Sequence, residues 1–185
     1  DLLSELGYGS NYGWQLRLGG SIVSKYERDP GGEYVLPENV AAWSARFNLN
    51  AGDFTLQGEY SHKGQDPTSN NILLSPSGLN YNEGQVLFLS GSYASQGLGV
   101  TLGYKAVDNF DWRSGRDSKF FNQILTFMPA LTKQYTYRML TLYPYATQIN
   151  GETAVQADVV YTFEKNTFLG GKYGTSVNFN YSRAH

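Results

Sequence analysis

Nucleophilic catalysis in this chain would have to be built on His62, because the only other histidine is the terminal His185 and there is no cysteine. A Ser/His/acid arrangement needs a serine within hydrogen-bond reach of that base. The sequence places none: Ser24 and Ser90 are equally arbitrary choices. Enzyme activity is therefore not expected. A second candidate chemistry is cation binding by the carboxylates of the stretch Asp108-Asn109-Phe110-Asp111-Trp112-Arg113-Ser114-Gly115-Arg116-Asp117. It lacks the spacing and terminal Glu of a Ca²⁺-binding EF-hand loop, so a solvated loop is expected there, and no metal or cofactor. Lys172, within Gly170-Gly171-Lys172-Tyr173-Gly174-Thr175, has neither P-loop spacing nor a following helix, and its glycines read as a turn. Asn180-Tyr181-Ser182 matches a glycosylation sequon but falls inside a strand-like run.

The remaining chemistry-bearing residues are charges, and their spacing is their information. Arg17, Arg46, Glu59, Lys105 and Asp158 each sit in a run of alternating apolar and polar residues, always on the polar parity, with Lys25 and Lys63 near one end of the same face. Trp14, Leu16, Leu18 and Ile22 alternate with Gln15, Arg17, Gly19 and Ser21; Leu98, Val100, Leu102 and Tyr104 alternate with Gly99, Thr101, Gly103 and Lys105. Successive side chains of a strand point to opposite faces, so one face is apolar and the other polar. Two readings of the charged face stay open. It lines a water-filled lumen and sets conductance, or it is a packed interior whose charges satisfy one another.

These residues are positioned by runs expected to be strands at 13–26, 40–51, 54–63, 84–94, 98–107, 119–129, 134–145, 154–164 and 174–183, about nine in all. Runs of about ten residues suit a tilted strand crossing a bilayer, whereas soluble strands cluster near five or six. Aromatic residues of the apolar parity gather at the run ends: Trp14, Tyr26, Trp43, Phe54, Tyr60, Tyr93, Tyr104, Tyr161 and Phe163. Rings at both rims are the interfacial girdles of transmembrane barrels. Short turns near 51–53 and 95–97 alternate with long loops near 27–39, 64–83 and 108–118, matching the turn-and-loop rhythm of such barrels. In the third loop, Phe110 and Trp112 either stack on a carbohydrate or dock a partner, or they fold the loop into the barrel mouth.

A net charge of -2 gives no basic field for nucleic acid. Mean hydropathy is -0.41 and no apolar run is long enough for a transmembrane helix, which leaves a barrel open because lumen and loop residues dilute its lipid-facing half. The chain starts at Asp1 without Met or a signal segment, and ends in Arg183-Ala184-His185 and not on a terminal aromatic. With an odd strand count, these ends read as a piece of a longer barrel, since bacterial single-chain barrels close with even numbers.

Three C-terminal stretches, Pro129-Ala130-Leu131-Thr132-Lys133-Gln134, Leu142-Tyr143-Pro144-Tyr145-Ala146-Thr147-Gln148 and Gly170 to Thr175, resemble an uncharacterised family of Bacteroidota outer-membrane β-barrel proteins, a domain of unknown function. The resemblance implies location and architecture, and no activity. The expectation is an all-β protein: an antiparallel transmembrane β-barrel, an up-and-down meander spanning 1–185 as a segment of a larger barrel in a Gram-negative outer membrane. Its expected role is a porin-like or substrate-admitting channel. The alternatives are a non-conducting scaffold or receptor whose external loops bind a surface or secreted protein or glycan, and a soluble β-sandwich or adhesin domain.

Overall fold

The alternating runs form eight antiparallel strands: β1 (Ser4–Tyr8), β2 (Trp14–Tyr26), β3 (Asn39–Ala51), β4 (Phe54–Thr68), β5 (Asn80–Ser95), β6 (Leu98–Asp108), β7 (Gly151–Phe163) and β8 (Thr175–Ala184). They make a single sheet in meander order, each strand paired with its sequence neighbours. This computed structural model describes residues 4–8 (backbone only), 13–32, 34–69, 80–118, 122–133 and 145–185. Among them there is no helix, and β1 and β8 do not pair with each other, so the sheet has two open edges. Strands β2 to β8 run 10 to 16 residues, well above soluble lengths.

Cross-strand register carries the parity pattern through the whole sheet. One face has the row Leu16-Leu49-Leu56-Gly91-Leu102-Ala157-Tyr181; the opposite face has Gln15-Asn50-Thr55-Ser92-Thr101-Asp158-Asn180. A one-residue slip would exchange the faces, so the pattern itself holds the register. The short connections suit tight reversals. Positive φ at Gln96 (37°) and Gly97 (85°) fits a two-residue hairpin, and Gly52 (57°) serves the β3–β4 turn.

Two expectations are corrected. Residues 122–129 are not a strand; only Ile124 bridges Arg113, because the segment lacks a period of two and Pro129 has no N–H to donate. The run at 134–145 lies outside the described residues except for Tyr145, which is not in a strand. The loop at 64–83 is shorter than expected, since β4 and β5 pair on past a bulge between Lys63 and Asp66 to Thr68 opposite Asn80. Pro67 is tolerated there because β3 stops pairing with β4 at Lys63, leaving that end of β4 an edge. One element, β1, was not anticipated: Ser4-Glu5-Leu6-Gly7-Tyr8 shows no run of alternation.

The buried apolar cluster (Val40, Ala42, Val107, Phe110 and Trp112, with Val86 and Met128 against it) lies on the polar face, toward the long-loop end. Gly84 sits at this end, where an added Cβ would come within 2.2 Å of the Asn109 carbonyl oxygen, a backbone atom that cannot swing away. Gly84→Ala is expected to cost about 1–3 kcal/mol, read as a thermal midpoint roughly 2–10 °C lower. Gly91→Ala, meeting only Leu56 at 3.5 Å, should leave the midpoint within a degree or two. Equal midpoints for the two variants would refute the close approach.

Candidate functional site on the polar face

In the connection between β6 and β7, the described residues 109–118, 122–133 and 145–150 fold back as a strap over the polar face. Asn109, at φ 43°, turns the chain, and its amide and that of Phe110 bond to the carbonyls of Asn150 (3.2 Å) and Ile149 (2.8 Å). Residues 112–114 and 123–125 then run against each other, with Leu125 N donating to Trp112 O (2.9 Å) and Ser114 N to Gln123 O (3.0 Å). Phe110 and Trp112 are 4% and 3% exposed, both packed in the apolar cluster on the polar face. Burying two aromatics stabilises the strap by several kcal/mol.

Charges hold the strap where its apolar contacts end. The Lys25 ammonium is 2.7 Å from Asp66 Oδ1, donates to Asp66 Oδ2 (2.8 Å) and to the Arg113 carbonyl (2.7 Å), and stands 4.9 Å from the Trp112 ring centroid. Lys63 lies 4.0 Å from the same carboxylate, and Arg113 Nε is 2.6 Å from Asp111 Oδ1. Arg116 reaches the β2–β3 loop, donating to the carbonyls of Glu27 (2.9 Å) and Pro37 (2.6 Å), while Ser69 N donates to Arg116 O (3.0 Å). Four cations, Lys25, Lys63, Arg113 and Arg116, face three carboxylates, Asp66, Asp111 and Glu27. Such pairs add little net stability but strongly disfavour any arrangement that separates them.

A second hub surrounds Lys105. Its ammonium is 2.9 Å from Glu152 Oε1 and donates to Pro129 O and Thr147 Oγ1, both at 2.8 Å. Tyr145 donates to Glu152 (2.8 Å) and accepts from Leu131 N (3.1 Å). Burial pushes the Tyr145 hydroxyl up to about 12, so it stays a donor. The hub thus ties both described ends of the strap, 128–131 and 145–148, to β6 and β7.

Arg17, Arg46, Glu59, Lys105 and Asp158 all lie on one face, as their parity predicts. They do not form one site. Lys105 is 3% exposed and fully committed to its hub. Asp158 meets Lys133 (2.5 Å) and accepts from Asn178 (3.2 Å) and Asn180 (3.1 Å), which also gives the sequon asparagine a structural role. Arg17, Arg46 and Glu59 make no ion pair among the described residues. The five charges thus differ in state: Lys105 is enclosed and paired, Asp158 is held by Lys133 and two asparagines, and the other three stand outside any ion pair among the described residues.

The nine strand aromatics share the opposite face, Tyr104 in a middle row and others grouped toward its two ends. Trp43–Tyr60 (5.5 Å between centroids) lies toward the long-loop end, and Phe54–Tyr93 (4.6 Å) with Tyr161–Phe163 (4.8 Å) toward the short-turn end. His62 is on this apolar face, stacked on Trp43 at 5.9 Å and 3.5 Å from Glu83, while Ser24 bonds Asn39 instead. Around Lys172, Gly171 (φ 58°) and Gly174 (φ 88°) form a turn with Asn166 N bonded to Gly171 O (2.6 Å). Among the described residues no group of three His, Asp or Glu side chains is arranged for a metal. Sequence reasoning missed Asp66, Asp111, Arg113, Tyr145 and Glu152 as partners. Only Glu152 carried a signal, sharing the parity of Asp158 just ahead of the expected strand start.

No curated protein and no solved structure significantly matches this chain. A family model does match, over residues 5–185, and the chain belongs to that family of unknown function (DUF6029).

Proposed function

We propose that the sheet is the wall of an outer-membrane β-barrel whose polar face borders a water-filled passage, narrowed at its long-loop end by the strap. The observation that carries this is the exposure of the apolar face: Ile22 (59%), Trp43 (46%), Leu102 (57%) and Phe179 (63%) stand open while buried Lys105 and Arg113 lie on the other side. Seven strands at about 4.8 Å spacing make that face about 29 Å wide. With an apolar band about 20 Å tall, the patch is on the order of 600 Å² in projection, at the upper end of what soluble monomers expose. No second sheet covers it among the described residues, which disfavours the sandwich reading. Lipid is the solvent that suits such a face. From Phe54 to His62 the chain rises about 27 Å along β4, or about 20 Å once tilted, close to the band that lipid-facing strands present.

Open strand edges are not tolerated in hydrocarbon. The unpaired edges of β1 and β8 therefore fit a wall that further strands complete, in keeping with the resemblance to Bacteroidota barrels. The unpaired Arg17, Arg46 and Glu59 favour an aqueous passage; the tightly anchored strap favours the second reading, a non-conducting scaffold. Planar-bilayer recording of the protein refolded with its barrel complete tests both. Stepwise currents are expected, and larger steps when residues 122–133 are replaced by a short glycine–serine linker. Insertion without current in both forms would refute the passage, and failure to enter bilayers would refute the wall.

A further inference from the structure

Two adjoining cavities of about 370 and 270 Å³ lie between the strap and the polar face, and both are lined by Glu59, Ser61, Phe110 and Thr126. The larger is in the size range of small-molecule sites. Its other walls are Val86, Phe88, Phe127 and Met128 with Lys105; the smaller adds Val23, Trp112 and Leu125. Apart from the hydroxyls of Ser21, Ser44, Ser61 and Thr126 the uncharged walls are aromatic and aliphatic, so what distinguishes possible ligands is the charge.

Lys105 cannot serve an anion. An ammonium has three N–H donors, and those of Lys105 already face Glu152 (2.9 Å), Pro129 O (2.8 Å) and Thr147 Oγ1 (2.8 Å). Glu59 is the reverse case, an exposed carboxylate with no hydrogen bond or ion pair among the described residues. Its cross-strand neighbour Arg46 makes no ion pair with it: the guanidinium leans over Gly19 on β2, with Nε 2.7 Å from where a Cβ at Gly19 would stand. Gly19 leaves that space open. The cavities thus present one carboxylate without an ion pair among π-rich walls. The same face already seats ammonium groups against rings elsewhere, Lys25 over Trp112 (4.9 Å) and Lys105 over Tyr145 (5.4 Å).

We propose that these cavities bind a small organic cation, an ammonium carried on an aromatic or aliphatic body, with the charge at Glu59 and the body against Phe88, Phe110 and Met128. A carboxylate supplies the Coulomb attraction and the ring faces supply cation–π contact. The inference names a solute class for the passage proposed above, but it rests on the cavity and not on membrane insertion.

Equilibrium dialysis of the detergent-folded protein against benzyltrimethylammonium tests it, with protein-free micelles as background. Saturable one-to-one binding with a Kd of roughly 0.1–1 mM is expected, and little binding of benzyl alcohol or phenylacetate, which share the ring without the cation. Because Glu59 is exposed and unpaired, Glu59→Gln leaves the fold intact and should weaken binding at least tenfold. No binding, equal binding of the neutral or anionic analogue, or an unchanged Kd in Glu59→Gln would overturn the proposal. A protein that binds the cation but conducts nothing would remove the passage and leave the site standing.

Discussion

Leu102→Arg is expected to abolish entry into lipid bilayers, while Thr101→Arg, one residue earlier on the same strand, enters like the parent chain. Leu102 is 57% exposed and sits mid-strand between Gly91 and Ala157, in a row of leucines that crosses the apolar face. An arginine at the lipid-facing midplane of a barrel costs about 2–4 kcal/mol, or roughly 30- to 1000-fold in the inserted fraction. Thr101 lies directly opposite Ser92 and Asp158 on the polar face. An arginine there remains hydrated and gains a carboxylate neighbour, worth at most about 1 kcal/mol at an exposed site. Flotation of the two variants with preformed liposomes gives the comparison directly. Equal recovery in the lipid fraction would mean that the apolar face is not a lipid face, and the wall reading would fall with it. The contrast is sharp because the backbone, the strand and the added charge are all the same.

What the sequence makes legible follows from how local each signal is. Period-two alternation from Trp14 to Ile22, or from Leu98 to Lys105, depends only on neighbouring residues, and it assigned both faces of those strands. The shared face of the nine strand aromatics is legible for the same reason. The strap is not, because its partners are distant: Lys25 meets Asp66 forty-one positions on, and Arg116 meets Glu27 eighty-nine positions back. Part of its bed was nonetheless written in the parity. Val40, Ala42, Val86 and Val107 sit on the polar side of their strands toward the long-loop end, and apolar residues there require something apolar above them. Phe110 and Trp112 are what the connection supplies. Residues 122–129 misled as a strand because Ile124, Leu125, Phe127 and Met128 look like a buried run, when part of that run lines cavities under the strap. The free carboxylate of Glu59 was visible as a position and not as a state, since only the lean of Arg46 over Gly19 tells that the pair is unmade.

Lys105→Met is expected to free the strap from the sheet, with the largest loss of stability of any single change on this face. The methionine fills the stem's space, but the Glu152 carboxylate, 5% exposed, keeps its charge and loses the ammonium 2.9 Å away. Pro129 O and Thr147 Oγ1 lose their donor in the same step. Breaking one side of a buried pair costs about 3–5 kcal/mol, because the partner is left charged in a poor solvent. Tyr145 cannot make up the deficit: its hydroxyl already donates to Glu152 and carries no charge. Replacing both members, as Lys105→Met with Glu152→Leu, removes the stranded charge and should recover most of the loss, since an apolar pair of similar volume is often as stable as the buried ion pair. Urea unfolding of the single and double variants, with limited proteolysis of residues 122–133 as a local readout, separates the outcomes. Recovery of both stability and protection in the double variant would establish that the pair serves to fasten the strap. A double variant as weak as the single would place the cost in lost packing around Pro129 and Thr147. An unchanged single variant would mean that the apolar bed under Phe110 and Trp112 holds the strap without the hub.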